Sequence, residues 1–325
     1  MNFKIQKYEH SNIRLTNEEQ KYNNCCSVRA SMVRLFGCSI VLLFLFFFQP
    51  PTAYCQLAAV DSLTALLKTD KEDTNKVNHL NAVAWELKFS NPDSSIVLGN
   101  KALLLSKSLN WKNGIANSFG NLGSYYYLKD NYPKALENYF AALKINDSLD
   151  NRSETAIRLG NIGNVYASQG DFQKALDYYL KAMKMAEELN DKKSLARHLG
   201  NIGNVYSQQN NLHDALDFYT RALALDETLG DRNGIARHLG NIGIIYTQME
   251  DYPKALDNYL KSLNIYEEID DINGIETSLG NIGALYLKAP LLLAKKVGPA
   301  FLSGLKAAEY FLIKAVELSK EIGDV

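Results

Sequence analysis

Leu159-Gly160-Asn161-Ile162-Gly163, followed by Tyr166, returns as Leu199-Gly200-Asn201-Ile202-Gly203 with Tyr206, Leu239-Gly240-Asn241-Ile242-Gly243 with Tyr246, and Leu279-Gly280-Asn281-Ile282-Gly283 with Tyr286, each forty residues after the last. An earlier copy is Phe119-Gly120-Asn121-Leu122-Gly123 with Tyr126. Five copies in fixed register mark a stack of repeats in which each unit buries its apolar face on its neighbours. Length therefore counts repeats rather than domains.

Within each copy the spacing is helical. Leu159, Ile162, Gly163 and Tyr166 fall at i, i+3, i+4 and i+7, and Ala175, Tyr179 and Ala182 keep the same rhythm on a second helix. The turn Gln169-Gly170-Asp171-Phe172 recurs as Lys129-Asp130-Asn131-Tyr132 and Glu250-Asp251-Tyr252, with Pro133 and Pro253 in the first helical turn, where no N–H is needed. Leu229-Gly230-Asp231-Arg232-Asn233-Gly234 and Ile269-Asp270-Asp271-Ile272-Asn273-Gly274 supply C-cap and N-cap chemistry between pairs. A helical glycine costs about 1 kcal/mol against alanine, so Gly163, Gly203 and Gly243 in the apolar stripe imply a close approach of the two helices. The small Ala175, Ala215 and Ala255 are the expected opposite side of that contact.

Leu159, Ile162, Gly163, Tyr166, Phe172, Ala175, Tyr179 and Ala182 resemble the signature of the tetratricopeptide repeat family, with leucine where that family often has tryptophan. The forty-residue spacing and the Leu-Gly-Asn string are similar to the subclass found in animal spindle-orientation adaptors, exported bacterial repeat proteins and bacterial sensor modules. The resemblance implies an all-α, right-handed α-solenoid of about six antiparallel helix pairs over residues 75–325. Helix A of each pair would line the concave side.

The ends depart from this regularity. Residues 1–31 are polar and aperiodic, and residues 32–55 read as a signal peptide: Arg29 and Arg34, an apolar run over residues 35–48, the breakers Pro50 and Pro51, then Ala53-Tyr54-Cys55 before Gln56. The run is shorter than the roughly twenty residues a membrane span requires. Export to the periplasm follows, the alternative being an inner-membrane anchor through residues 35–48. Met32 is the better-placed start, which makes residues 1–31 disordered or an overlong reading of the gene. Residues 56–74 form a linker and short capping helix, and the first pair, with its second helix expected over 96–109, is the least regular. Near residues 289–304 an apolar insertion of thirteen residues interrupts the last pair and is read as a self-packed loop or a docking loop. The end at Val325, where another helix A is due, suggests the front of a longer polypeptide.

The net charge of −1 offers no field for nucleic acid, and Cys25, Cys26, Cys38 and Cys55 all precede the repeats, leaving them without disulfides or thiolate ligands. No phosphate loop, His-Glu-x-x-His or Gly-x-Ser-x-Gly occurs, and His198 and His238 are repeat-related rather than a ligand pair. The expectation is no enzyme, no cofactor and no metal site.

What remains is a second stripe on helix A. Arg197, Gly200, Asn201, Asn204 and Gln208 lie at i, i+3, i+4, i+7 and i+11; Arg237, Asn241 and Gln248 repeat it, with Asn161 and Asn164 on one side and Asn281 on the other. With Asn121 these form an asparagine ladder. An amide donates and accepts, so it can hold a foreign peptide bond, and the glycine beside it is expected to let that backbone approach. Helices 8 to 10 Å apart and a strand rising about 3.3 Å per residue give one asparagine per roughly three ligand residues. Arg197 and Arg237 favour acidic side chains. The other reading is that the amides bond one another and merely align the stack. The partner is a protein or peptide, with no nucleic acid, and a membrane only if the signal segment is retained. The rival function is the extracytoplasmic sensor portion of a longer signalling protein, an adenylate or guanylate cyclase or a histidine kinase.

Cleavage after Cys55 predicts a mature protein beginning at Gln56. Amino-terminal sequencing checks this, and residues from before Cys55 would contradict it.

Overall fold

The computed structural model describes residues 63–289 and 304–322, with Val60, all within the compact unit Pro50–Val325. The signal segment and most of the expected insertion lie outside the described residues. A short helical turn over 63–69 leads into six helix pairs. They are α1 (Thr74–Glu86) with α2 (Pro92–Ser108), α3 (Lys112–Leu128) with α4 (Tyr132–Ser148), α5 (Arg152–Ser168) with α6 (Phe172–Glu188), α7 (Lys192–Gln208) with α8 (Leu212–Leu229), α9 (Arg232–Gln248) with α10 (Tyr252–Glu268), and α11 (Ile272–Lys288) with α12 (Gly304–Ile322). No described residue lies in a strand, so the fold is an all-α solenoid. The second helix of the first pair starts at Pro92, four residues before its expected start, because Pro92 takes the first helical position and the Asn91 side chain accepts from Ser94 N–H.

The helix ends repeat every twenty residues. Asn110, Asp130, Asp150, Gly170, Asn190, Asn210, Gly230, Glu250 and Asp270 all take positive φ, between 52° and 76°. The residue after each donates its N–H to a carbonyl five positions back, as Asp171 does to Tyr166 and Asp231 to Asp226, closing the helix in a Schellman turn. That same residue then caps the next helix: Asp171, Asp191, Asp231 and Asp271 accept from the N–H of Lys174, Ser194, Gly234 and Gly274.

The core is made between pairs. Ala175 and Tyr179 of α6 are buried with Ile202 and Val205 of α7, and the same positions recur as Ala135, Tyr139, Ile162 and Val165, and as Ala215, Tyr219, Ile242 and Ile245. Successive A helices approach closely at α1–α3, α3–α5, α5–α7 and α9–α11, whereas no two successive B helices come equally close. Helices A are therefore on the inner side of the curve.

The stripe glycines do mark the A–B contact, but the alanines are not its other side. A Cβ on Gly163, Gly203 or Gly243 would stand 2.6 to 2.8 Å from the ring of Tyr179, Tyr219 or Tyr259. The ring lies flat on the bare backbone, and the alanines are buried elsewhere in the same layer. Gly203→Ala pushes a methyl group into the Tyr219 ring, and overpacking of this kind costs about 1 to 3 kcal/mol. Chemical denaturation should show that loss with helicity retained; an unchanged midpoint would refute the contact.

Candidate functional site: the helix A face

The four tyrosines that pack on the apolar-stripe glycines, Tyr139, Tyr179, Tyr219 and Tyr259, carry their hydroxyls through to the inner face of helix A. Tyr179 donates to Asn164 Oδ1 at 2.7 Å, Tyr219 to Asn204 Oδ1 at 2.6 Å, and Tyr139 to Ser124 Oγ at 3.1 Å; Tyr259 and Thr247 share a hydroxyl bond at 3.2 Å. Asn164 Oδ1 also accepts from Asn201 Nδ2 at 3.2 Å, across the boundary between α5 and α7. One rung of the asparagine ladder is thus an alignment contact. Among the described residues the side chains of Asn121, Asn161, Asn241 and Asn281 have no hydrogen-bond partner in the protein, and all four are half-buried.

Two clefts follow each other along this face. The first, of about 190 Å³, is lined by Tyr127, Asn164, Ala167, Ser168, Tyr179, Asn201, Asn204, Val205 and Gln208. The second, of about 210 Å³, is lined by Asn204, Ser207, Gln208, Tyr219, Asn241 and Ile244. Every polar group in them is neutral and able to hydrogen-bond. Asn164, Asn201, Asn204, Gln208 and Asn241 are therefore brought together, while Asn121, Asn161, Asn281, Gln248, Arg197 and Arg237 line neither cleft. Tyr127, Ser168, Ser207 and the two tyrosine hydroxyls were not expected. Tyr127 hydrogen-bonds Ser168 at 2.8 Å, forty-one residues away, so only the folded stack reveals them.

Arg197 and Arg237 are exposed on their helices. Desolvation by the surrounding surface lowers the Arg197 pKa, with Asp191 opposing and the like charge of Arg237 adding to the shift, so the two guanidinium groups sense each other along the row. A wider cleft of about 970 Å³ between α8 and α10 has a rim already occupied by ion pairs, Arg232 with Glu268 and Lys261 with Asp257.

The glycines beside the asparagines do something other than admit a foreign backbone. A Cβ on Gly160 would stand 2.6 Å from the His198 imidazole, one on Gly200 2.6 Å from His238, and one on Gly120 2.3 Å from the Arg158 guanidinium. Each of these three glycines is covered by a large side chain from the next helix A. Only Gly240 and Gly280 are free of such a lid. His198 is 1% exposed with neither ring nitrogen hydrogen-bonded, and burial followed by the charge of Arg197 pulls its pKa down to about 4, with Asp191 opposing. His238 is equally buried and lies 3.2 Å from the buried Asp226 carboxylate. Burial pushes the Asp226 carboxyl up.

The family model described as Tetratricopeptide repeat matches residues 114–188, 154–228, 194–268 and 234–289, over half of the chain in total. No functionally curated protein matches the chain in sequence. Among solved structures it is similar to a signal transduction ATPase with numerous domains that carries a tetratricopeptide repeat sensor, from Pyrococcus horikoshii, at TM-score 0.65 and 16% identity over 82% of this chain and 41% of that one. It is also similar to aspartyl phosphate phosphatase F of Bacillus subtilis (TM-score 0.60, 14% identity, 94% and 77% covered) and to BtubC of P. vanneervenii (0.56, 19%, 68% and 93%). At these identities the likeness is one of fold.

The buried imidazole gives the stack an acid limit. The His198 pKa of about 4 lies below its ordinary 6.5, so the unfolded chain takes up the proton first as pH falls. Its contribution is intact above pH 6.5 and is lost progressively toward pH 4, on the order of 3 kcal/mol at 1.36 kcal/mol per pH unit. Unfolding free energies measured across this window should fall less steeply in His198→Asn by about one proton; parallel slopes would refute the assignment.

Proposed function

The chain belongs to the tetratricopeptide repeat family, and from that premise we propose that it is a protein-interaction scaffold binding an extended peptide segment across the inner faces of its A helices. The observation that carries this reading is the pair of successive polar clefts, in which the half-buried Asn241 amide has no protein partner and Asn164, Asn201 and Asn204 each use only part of their hydrogen-bonding capacity. A half-buried amide left open holds water at neutral enthalpic cost and exchanges it for a peptide bond when a ligand arrives. The hydrogen-bonding groups of the clefts are uncharged, so they fit a peptide backbone or a neutral polar side chain. The exposed Arg197 and Arg237 form a separate row toward the other end of the same helices, where acidic side chains of that ligand would be held.

The glycine correction changes how close the ligand comes. Over α5 and α7 the imidazoles of His198 and His238 fill the space above Gly160 and Gly200, so the ligand rests on asparagine amides and tyrosine hydroxyls rather than on bare backbone.

Export is part of the proposal and rests on the Arg-flanked apolar run over residues 35–48 with its small-residue cleavage pattern. No described helix is long and apolar enough to cross a membrane. A place in the Leu-Gly-Asn subclass, and use as a sensor module, rest on the forty-residue register and the recurring Leu-Gly-Asn string.

The test is an array of extended peptides with varied acidic content, probed with the purified chain. Asn201→Ala combined with Asn241→Ala should weaken binding at least about tenfold, equivalent to about 1.4 kcal/mol, with helicity unchanged. Arg197→Glu with Arg237→Glu should remove the preference for acidic sequences and leave neutral ones bound. Peptide binding untouched by the asparagine pair would refute the groove.

A further inference from the structure

We propose that the chain forms a two-fold symmetric dimer through the exposed face of α12, in which the two helices run antiparallel and Glu309 of each copy pairs with Lys320 of the other.

α12 occupies the place of a helix B. Gly283 of α11 meets Leu312 as Gly243 meets Tyr259, and Tyr286 stacks on Phe311 as Tyr206 stacks on Phe218. In that register Glu309 and Val316 correspond to Leu256 and Leu263 of α10, which are 1% and 8% exposed beneath α11. The first of these positions is leucine in every other regular B helix, as Leu136, Leu176 and Leu216, each packed toward the next helix A. In α12 it is a carboxylate. Another helix A of the same kind laid on this face would bury that charge without a partner, which is strongly unfavourable.

The face nevertheless presents apolar surface. Ile313 is 50% and Val316 53% exposed, and Glu309 and Lys320 are exposed at either end of the same stripe, at i, i+4, i+7 and i+11. Neither Glu309 nor Lys320 has an ion-pair partner among the described residues. The order acid, apolar, apolar, base is self-complementary under a two-fold axis between Ile313 and Val316. Antiparallel packing sets Ile313 against the other copy's valine and Glu309 against its lysine, twice per dimer. A closed two-fold contact uses the same patch on both copies, which this stripe satisfies by itself.

The test is sedimentation of the full chain over a range of concentrations. The expected result is a monomer–dimer equilibrium that Glu309→Lys and Lys320→Glu each weaken about tenfold or more, because each reversal turns both attractive pairs repulsive. Both positions are exposed, so circular dichroism should show the helices retained. Mixing the two variants should restore the dimer, since the reversed ends then match. A chain that stays monomeric at every concentration overturns the proposal, including the case in which this face binds a different protein. Association indifferent to both reversals, or variants that fail to pair when mixed, overturns it too.

Discussion

The contact on which the stack depends is a tyrosine ring lying on a helix with no side chain beneath it. Tyr139, Tyr179, Tyr219 and Tyr259 each meet Gly123, Gly163, Gly203 or Gly243 at distances a Cβ could not tolerate. Each ring is nearly buried, so it contributes a large apolar area to the layer between helix pairs while holding helices A and B close. A buried phenol needs a partner for its hydroxyl, and all four find one on the inner stripe of helix A. Core packing and groove chemistry are in this way two ends of the same side chain. Glycine's helix penalty of about 1 kcal/mol is offset by the ring it admits.

The second glycine of each copy solves a different problem, the spacing of one A helix from the next. His198 and His238 fit over Gly160 and Gly200, and Arg158 over Gly120. Where the incoming residue is Ser278 instead, Gly240 has only the Ser262 hydroxyl near it, at 3.5 Å. The inner wall is therefore not a uniform ladder: its central part is sealed by imidazoles and its carboxyl-terminal part is open. An imidazole is large enough to fill the gap and neutral at pH 7, which a lysine would not be.

Much of this architecture is legible in the residues. The forty-residue period, the A–B turns and the pairing of a C-terminal turn with an N-cap aspartate can be read along the chain, because they are local. The identity of what covers each glycine is not local. Helical spacing places Gly203 and Gly200 on two stripes but cannot say that the first meets Tyr219 of its own pair and the second His238 of the next. For the same reason the alanines looked like the partners of the stripe glycines, since small residues suit close contacts in general. The twenty-residue series of left-handed turn residues was partly hidden for a different cause. Asparagine and aspartate adopt positive φ more easily than other non-glycine residues, so Asn110, Asp150 and Asn190 stand where a search for glycine does not stop.

The asparagine row illustrates how far a repeated side chain departs from a repeated role. Asn201 spends one amide hydrogen on Asn164 of the preceding helix A, whereas Asn241, at the equivalent position, makes no such bond to Asn204 and has no amide partner in the protein. An amide bonded to a neighbour loses little on exchanging that bond for one to a ligand, because the net value of a hydrogen bond exposed to water is only about 0.5 to 1.5 kcal/mol. An amide with no neighbour gains by the same amount. Affinity for a peptide would then rise from the centre of the stack toward α9 and α11, where the glycines are also uncovered. If the row receives a peptide as proposed, it selects where its rungs are least engaged with one another, while the Asn201–Asn164 bond ties neighbouring A helices together.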